Sequence, residues 1–362
     1  MERGGRIFSS FHRQARTEGD RSIRARLVIA VLLLMLPVAF LFSLSAGASD
    51  ASLVALLRSI FAGEALAATD TIIIYDIRLP RVAMGALVGA SLALSGAVMQ
   101  GLFRNPLADP GVVGVSSGAA LGAVTIIVLG DTFLAPFIEP LGSYALPLAA
   151  FAGALATTAT LYRLATRKGR TSVATMLLAG IAIAAMAGAF TGLLIFIADD
   201  QQLRELTFWG LGSLAGATWV KLGAIGPTVA AALCAAPFLA KGLNALALGE
   251  AVAGHLGVSV QRFKHVAIIA VAAATGAVVA VSGGIGFVGI VAPHLLRLLI
   301  GPDHRYLLPA SALLGAVLLL LADTAARTVV APAELPIGIV TAAVGAPFFL
   351  WMLLRIRGIV DL

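Results

Sequence analysis

The chain has 362 residues, 60% of them hydrophobic and only 12% charged, with a mean hydropathy of +1.00. A soluble domain carries roughly 25% charged residues, so despite a net charge of +7 the composition excludes a soluble enzyme, a nucleic-acid reader and a disordered chain. The single Cys234 excludes a disulfide framework and a multi-cysteine metal site, and 39 glycines that would weaken helices in water suit close helix packing in lipid.

The predicted elements follow in chain order. Residues 1–26 form a basic segment with Arg3, Arg6, Arg13, Arg16, Arg21, Arg24 and Arg26. A membrane span needs about 20 apolar residues. Apolar runs and their punctuation mark ten: 27–46, 82–101, 112–129, 144–161, 175–197, 219–239, 265–281, 285–299, 306–326 and 336–354. The third and eighth are short and rich in glycine. The excess of arginine places the N-terminus in the cytosol. Ten spans return Arg355, Arg357 and the tail 358–362 to that side, and only Arg58, Arg78, Arg81, Arg204, Lys221 and Arg327 of the 25 basic residues lie outside. The first apolar run exceeds the 7–15 residues of a secretory signal, which predicts an uncleaved span. In the external loop that follows, 51–62 has helical spacing and reads as a surface helix, with a lid or docking element as the functional alternative. Ala93-Leu94-Ser95-Gly96-Ala97 in the second span echoes Ala280-Val281-Ser282-Gly283-Gly284 at the end of the seventh, in keeping with two five-helix halves of opposite topology. The expected fold is therefore an all-α polytopic membrane protein, with residues 27–357 forming one transmembrane domain.

Some chemistry is absent. No Gly-Lys pair exists, so the chain carries no P-loop and is not an ATPase by itself. Gly284-Ile285-Gly286-Phe287-Val288-Gly289 fits G-x-G-x-x-G, but it sits between two spans without the strand and helix of a dinucleotide site; it reads as a tight turn and a closely packed helix start. His12, His255, His265, His294 and His304 lack metal-ligand spacing, and no catalytic set is discernible. The spacings Gly85/Gly89, Gly118/Gly122 and Gly188/Gly192 predict helix–helix contact, with a narrow channel lining as the alternative.

Several segments together carry a resemblance. They are Arg78-Leu79-Pro80-Arg81, 94–101 (LSGAVMQG), 105–111 (NPLADPG), Leu248-Gly249-Glu250 with His255-Leu256-Gly257, Gly286-Phe287-Val288-Gly289 with Pro293-His294, and Glu334-Leu335-Pro336-Ile337-Gly338 with Gly345-Ala346-Pro347. In order and spacing, from about Arg78 to Arg355, the chain resembles the FecCD-type permeases of bacterial ABC importers for iron-siderophores, haem and cobalamin. The resemblance implies ten spans and a bacterial inner-membrane location with both termini cytosolic. It implies a second permease subunit, expected as a homodimer, two cytosolic ATPases that hold ATP and Mg, and a periplasmic binding protein. No enzymatic activity, bound cofactor, metal or nucleic acid is expected on this chain, and its remaining partner is the lipid bilayer.

The same resemblance assigns site residues. Arg78, Arg81 and Arg327 match arginines that face carboxylates of the binding protein; read from the residues alone, they are equally interfacial anchors that snorkel toward headgroups. The loop 241–264 matches the element that couples to the ATPase, with Gly249 and Gly257 as turns, Glu250 as a cap and Leu248 and Leu256 as apolar contacts; alone it is an ordinary amphipathic loop helix. Asn105 and Leu107 with Ser172 and Thr175 match a gate at the cytosolic exit, and equally read as a proline-defined turn and a helix cap. Phe208 and Trp209 match a short helix at the external mouth, where aromatics are also ordinary belt residues. Their aromatic, Gly-Ser context is similar to haem and siderophore members more than to cobalamin members. His294 reads poorly as a haem ligand, and Asp323 is expected to pair with Arg327 one turn away. The expected function is import of an iron-bearing ligand, haem first, a ferric siderophore second and cobalamin third. The rivals of other classes are an ion-driven secondary transporter, for which Asp323 alone offers an intramembrane carboxylate, and a membrane-embedded enzyme.

Overall fold

The computed structural model describes residues 20–47, 68–132, 134–167 and 170–360; the first nineteen residues, the helix expected at 51–62 and residues 361–362 lie outside them. The helices are α1 (Ser22–Ser45), α2 (Ala68–Phe103, π-helical over Ile72–Arg78), α3 (Val115–Leu129), α4 (Ala145–Ala165), α5 (Val173–Ile197) and α6 (Asp200–Leu211). They continue as α7 (Trp219–Ala247), α8 (Glu250–His255), α9 (Val260–Ser282), α10 (Val288–Ile300), α11 (His304–Thr328) and α12 (Ile337–Val360). Among the described residues seven helices are long and apolar enough to cross a membrane, and three shorter apolar ones, Val115–Leu129, Val288–Ile300 and Ile337–Met352, fall at the third, eighth and tenth predicted spans. A two-residue hairpin, Thr166–Arg167 against Arg170–Thr171, joins α4 to α5.

Side-chain contacts sort the helix ends onto two faces. On the face where α1 begins, here the near face, Asn244 at the end of α7 meets Asp303 and His304 at the start of α11. On the far face, where α1 ends, Arg81 meets Asp323 and Glu334, and the Trp219 indole donates to Tyr75 O at 2.9 Å. Helices five apart in the order of spans, such as α2 and α9, consequently run in opposite directions.

α2 is the central helix, and small residues are the reason. Gly96 lies against α10 so closely that a Cβ would stand 1.9 Å from Gly289 O, and at Gly89 one would stand 2.2 Å from Gly315 O on α11. Contacts at Arg81–Asp323, Gly89–Gly315 and Gly101–His304 step along both helices, so α2 and α11 pack antiparallel along their length. Gly118 and Gly122 likewise let α3 touch the backbone of α4 at Gly153 and Ala149. The third predicted pair differs: among the described residues nothing lies within 4 Å of a Cβ at Gly188 or Gly192. Those glycines sit on α5 among exposed Leu178, Ile181, Phe190, Leu193 and Phe196, so among the described residues they pack against no other helix.

α10 is short because it begins inside the bundle. The link after α9 leaves the helix at Gly283 (φ 69°) and turns again at Phe287 (φ 69°), and α10 then starts with Gly289 against Gly96 in the lower half of α2. Phe287 holds a left-handed conformation that is rare for a bulky residue. Its ring occupies the space left by Gly345, where a Cβ would come within 2.3 Å of Phe287 Cβ. The G-x-G-x-x-G stretch is thus a turn and a packed helix start.

Candidate functional site

The expected coupling loop builds an exposed apolar ridge on the near face. α7 ends at Ala247, and Gly249 (φ 106°) and Gly257 (φ 84°) bracket α8 in backbone conformations that favour glycine. Ala253 is buried, while Leu248 (65% exposed), Val252 (42%) and Leu256 (62%) project outward. Val252 and Leu256, four apart, share one side of α8, and Leu248 precedes that helix across Gly249. Glu250 is the first residue of α8, and its Oε1 accepts from Lys264 Nζ of α9 at 2.6 Å. Its role is therefore an ion pair, with no side-chain cap of its own helix.

Lys264 was not legible as a site residue. It is 2% exposed and also donates to Thr171 O at 3.3 Å. The Thr171 amide donates to Gln261 Oε1 at 3.0 Å, so two side chains of α9 hold one residue of the hairpin. The next residue, Ser172, caps α5 by accepting from Thr175 N at 3.2 Å. In the Asn105–Gly111 loop, Asn105 Oδ1 accepts from Leu107 N at 2.9 Å and Asp109 Oδ1 from Gly111 N at 2.8 Å. The Pro110–Val113 turn that follows packs against α5 and α9. The cap and the turn expected from the residues alone are both formed, and the segments assigned to a gate adjoin.

A second near-face cluster was also missed. Asn244 Nδ2 donates to Asp303 Oδ1 at 2.7 Å, and Asn244 Oδ1 accepts from the His304 amide at 2.9 Å. Asp303 also accepts from the Arg305 side chain at 2.7 Å. Burial pushes the Asp303 carboxyl up, but hydrogen bonds from Arg305 and Asn244 outweigh it and hold the group down at about 2. The signal available in sequence was the Asp-His-Arg run after Gly301-Pro302, which reads as a helix cap.

On the far face Arg78, Arg81 and Arg327 come together, but all three are buried. Arg81 donates from Nε and Nη2 to Asp323 and from Nη1 to both oxygens of Glu334, at 2.8–3.2 Å. Arg327 Nε stands 3.1 Å from Asp323 Oδ2, the expected pair one turn away, though not aligned for a hydrogen bond. Its other nitrogens donate to Ala46 O, Ser43 O and Ser43 Oγ. Arg78 Nη1 donates to Leu44 O and Ser45 O. The last carbonyls of a helix have no intrahelical donors and carry partial negative charge. Arg78 and Arg327 satisfy those of α1. The arginines therefore do not stand free on the surface in this conformation, as the docking assignment pictured them; they fasten α1, α2, α11 and the Glu334 loop together. Glu334, with a side chain 42% exposed, is the outward member of the cluster.

Phe208 and Trp209 separate. Phe208 on α6 is 58% exposed, whereas Trp209 packs against the core, its indole Nε1 buried and without a hydrogen-bond partner among the described residues. The Trp209 carbonyl lies so close to Gly283 that a side chain there would collide with it. His294 stacks edge-on against Phe348 of α12, centroids 6.2 Å apart. Among the described residues no three His, Cys, Asp or Glu side chains are grouped to hold a metal.

The model of the FecCD transport family matches residues 33–355. The hemin transport system permease protein HmuU of Yersinia pestis is 45% identical over 339 residues, 92% of this chain and 97% of that protein. The cobalamin import system permease BtuC of Halobacterium salinarum is 46% identical, over 79% of this chain and 74% of its own length. The vitamin B12 import system permease BtuC of Salmonella typhi is 42% identical over 94% of this chain and 98% of its own. A solved metal-chelate type ABC transporter in an inward-facing conformation superposes with a TM-score of 0.79 at 32% identity, covering 91% of this chain and 99% of that one.

Proposed function

The chain belongs to the FecCD transport family, and from that premise we propose that it is the permease of an ATP-driven importer in a bacterial inner membrane, carrying an iron-bearing ligand, haem first. It is a transport component rather than an enzyme. The observation that carries the cargo is the 45% identity to a hemin permease along nearly the whole of both chains. Cobalamin is the second reading, favoured by relatives of 46% and 42% identity, and a ferric siderophore the third, in line with a metal-chelate transporter of the same fold.

In this reading the near face is cytosolic, with both termini there. The ridge of Leu248, Val252 and Leu256 supports an ATPase contact, because such an exposed apolar patch on a polar face needs a partner to cover it. ATP and Mg are bound by that partner. A second copy of the chain completes the pathway, and a periplasmic binding protein delivers cargo to the far face beside the arginine cluster and Phe208. The chain performs no bond chemistry on the cargo. It supplies two packings of its helices, and the ATPase shifts their balance by binding one of them better.

The test is uptake into proteoliposomes holding the chain, its cognate ATPase and binding protein, with haemin, cyanocobalamin and a ferric hydroxamate as separate cargoes. ATP-dependent accumulation of haemin is expected. Accumulation of another cargo without haemin overturns the cargo, and uptake by the chain alone under an ion gradient overturns the importer.

A further inference from the structure

We infer that Lys264 is a positioning residue that ties α8 to the first turn of α5, so that movement of the ATPase-facing helix is delivered to the segment Thr171–Thr175; this rests on the importer reading. The geometry is a chain of short contacts between three segments that the sequence keeps apart. Glu250 Oε1 on α8 is 2.6 Å from Lys264 Nζ, and that ammonium is 3.3 Å from Thr171 O. Thr171 is held from its other side by Gln261 and directly precedes Ser172, the cap of α5. The hairpin adds stiffness, since Thr166 and Thr171 pair across it and their hydroxyls lie 3.0 Å apart.

The asymmetry of burial gives the link its direction. Glu250 is 43% exposed at its side chain in the chain alone, whereas Lys264 is 2% exposed. A buried ammonium has three donors and cannot be left without acceptors. Among the described residues its acceptors are Glu250 and Thr171 alone. A shift of α8 therefore draws Lys264 with it or strips it of its charge partner, and either outcome moves the load onto the Thr171 carbonyl. At the other end of the same loop, Asn244 is bound to Asp303 and His304, which holds the end of α7 still while α8 swings.

The experiment uses the reconstituted importer and reads cargo moved per ATP hydrolysed, with haemin as the probe. Lys264→Met should leave the co-purified ATPase and its hydrolysis rate within about twofold of the parent, and lower the transport ratio about tenfold, the scale of a typical coupling between two distant sites. Because removal of a buried ammonium can impair folding, Glu250→Gln, at a half-exposed position, is measured beside it and should lower the ratio in the same sense. The double variant should be no worse than Lys264→Met alone, since both act through one contact. A parental ratio in Glu250→Gln, or strictly additive losses in the double variant, overturns the inference. Failure of the parent complex to transport with ATP overturns the importer reading instead, so the two are distinguished.

Discussion

Replacing Asp323 by Asn tests whether the far-face cluster is a buried structural clamp. Asp323 is 2% exposed at its side chain, between guanidiniums 9% and 5% exposed. Removing one partner of such a buried pair costs about 3–5 kcal/mol, because the charge left behind has no water to return to. Two features place this case near the lower end. Arg81 keeps its two bonds to Glu334, and Arg327 keeps three acceptors at the end of α1. A loss of about 3 kcal/mol is therefore expected for Asp323→Asn. Glu334→Gln is the control: its side chain is 42% exposed, and pairs open to solvent contribute about 0–1 kcal/mol. The assay is unfolding of the purified chain in mixed micelles by SDS titration, repeated at low and high salt. The Asp323→Asn loss should be insensitive to salt, while the Glu334→Gln loss should shrink as salt screens it. A Glu334→Gln loss equal to or larger than that of Asp323→Asn would refute the clamp. The same reasoning bears on the docking assignment. Reversal of Arg78, Arg81 and Arg327 removes the caps of α1 and inverts a buried cluster, so weaker association with a binding protein is interpretable only beside a melting curve.

Further outcomes follow from other parts of the fold. Gly96→Ala puts a methyl 1.9 Å from Gly289 O, and should cost at least about 1–3 kcal/mol in the same unfolding assay; Gly188→Ala, with no neighbour within 4 Å among the described residues, should cost nothing and gain up to about 1 kcal/mol of helix propensity. Leu248→Asp with Leu256→Asp should abolish co-purification of the ATPase while leaving the unfolding midpoint unchanged, because both side chains project outward. The Asp303 carboxyl is held at about 2, below its unfolded value of about 3.9. Its contribution is therefore fully present above that unfolded value and lost as pH falls through about 2. Stability lost in Asp303→Asn relative to the parent should be constant between pH 5 and 8, and a difference that grows or shrinks across that window would contradict the assignment.

The class of molecule, the positions of the seven long apolar helices and three shorter ones among the described residues, and the family were all legible in the sequence, because each rests on local composition or contiguous motifs. An apolar run long enough to cross a bilayer is visible wherever it occurs, and motifs such as 105–111 or 248–257 are contiguous. The turns at Gly249 and Gly257 and the cap at Ser172 were legible for the same reason: a backbone conformation or a capping oxygen is a matter of a few adjacent residues. Asp323 with Arg327 was within reach too, since a helix brings residues four apart together.

Contacts between distant segments were decided by the tertiary structure alone. Nothing about Lys264 marks it off from the other basic residues of a near-face loop, yet the fold buries it between Glu250 and Thr171. Glu334 is 253 positions from Arg81, and the carbonyls of Ser43 and Ala46 lie more than 280 positions from the Arg327 that caps them. Glycine spacing was equally ambiguous by itself. Gly118 and Gly188 stand in the same pattern, but among the described residues only the first has a helix against it. A side chain's charge, size and helical phase are written in the sequence; the acceptor that a buried guanidinium or ammonium finds depends on which helices cross, and at what depth.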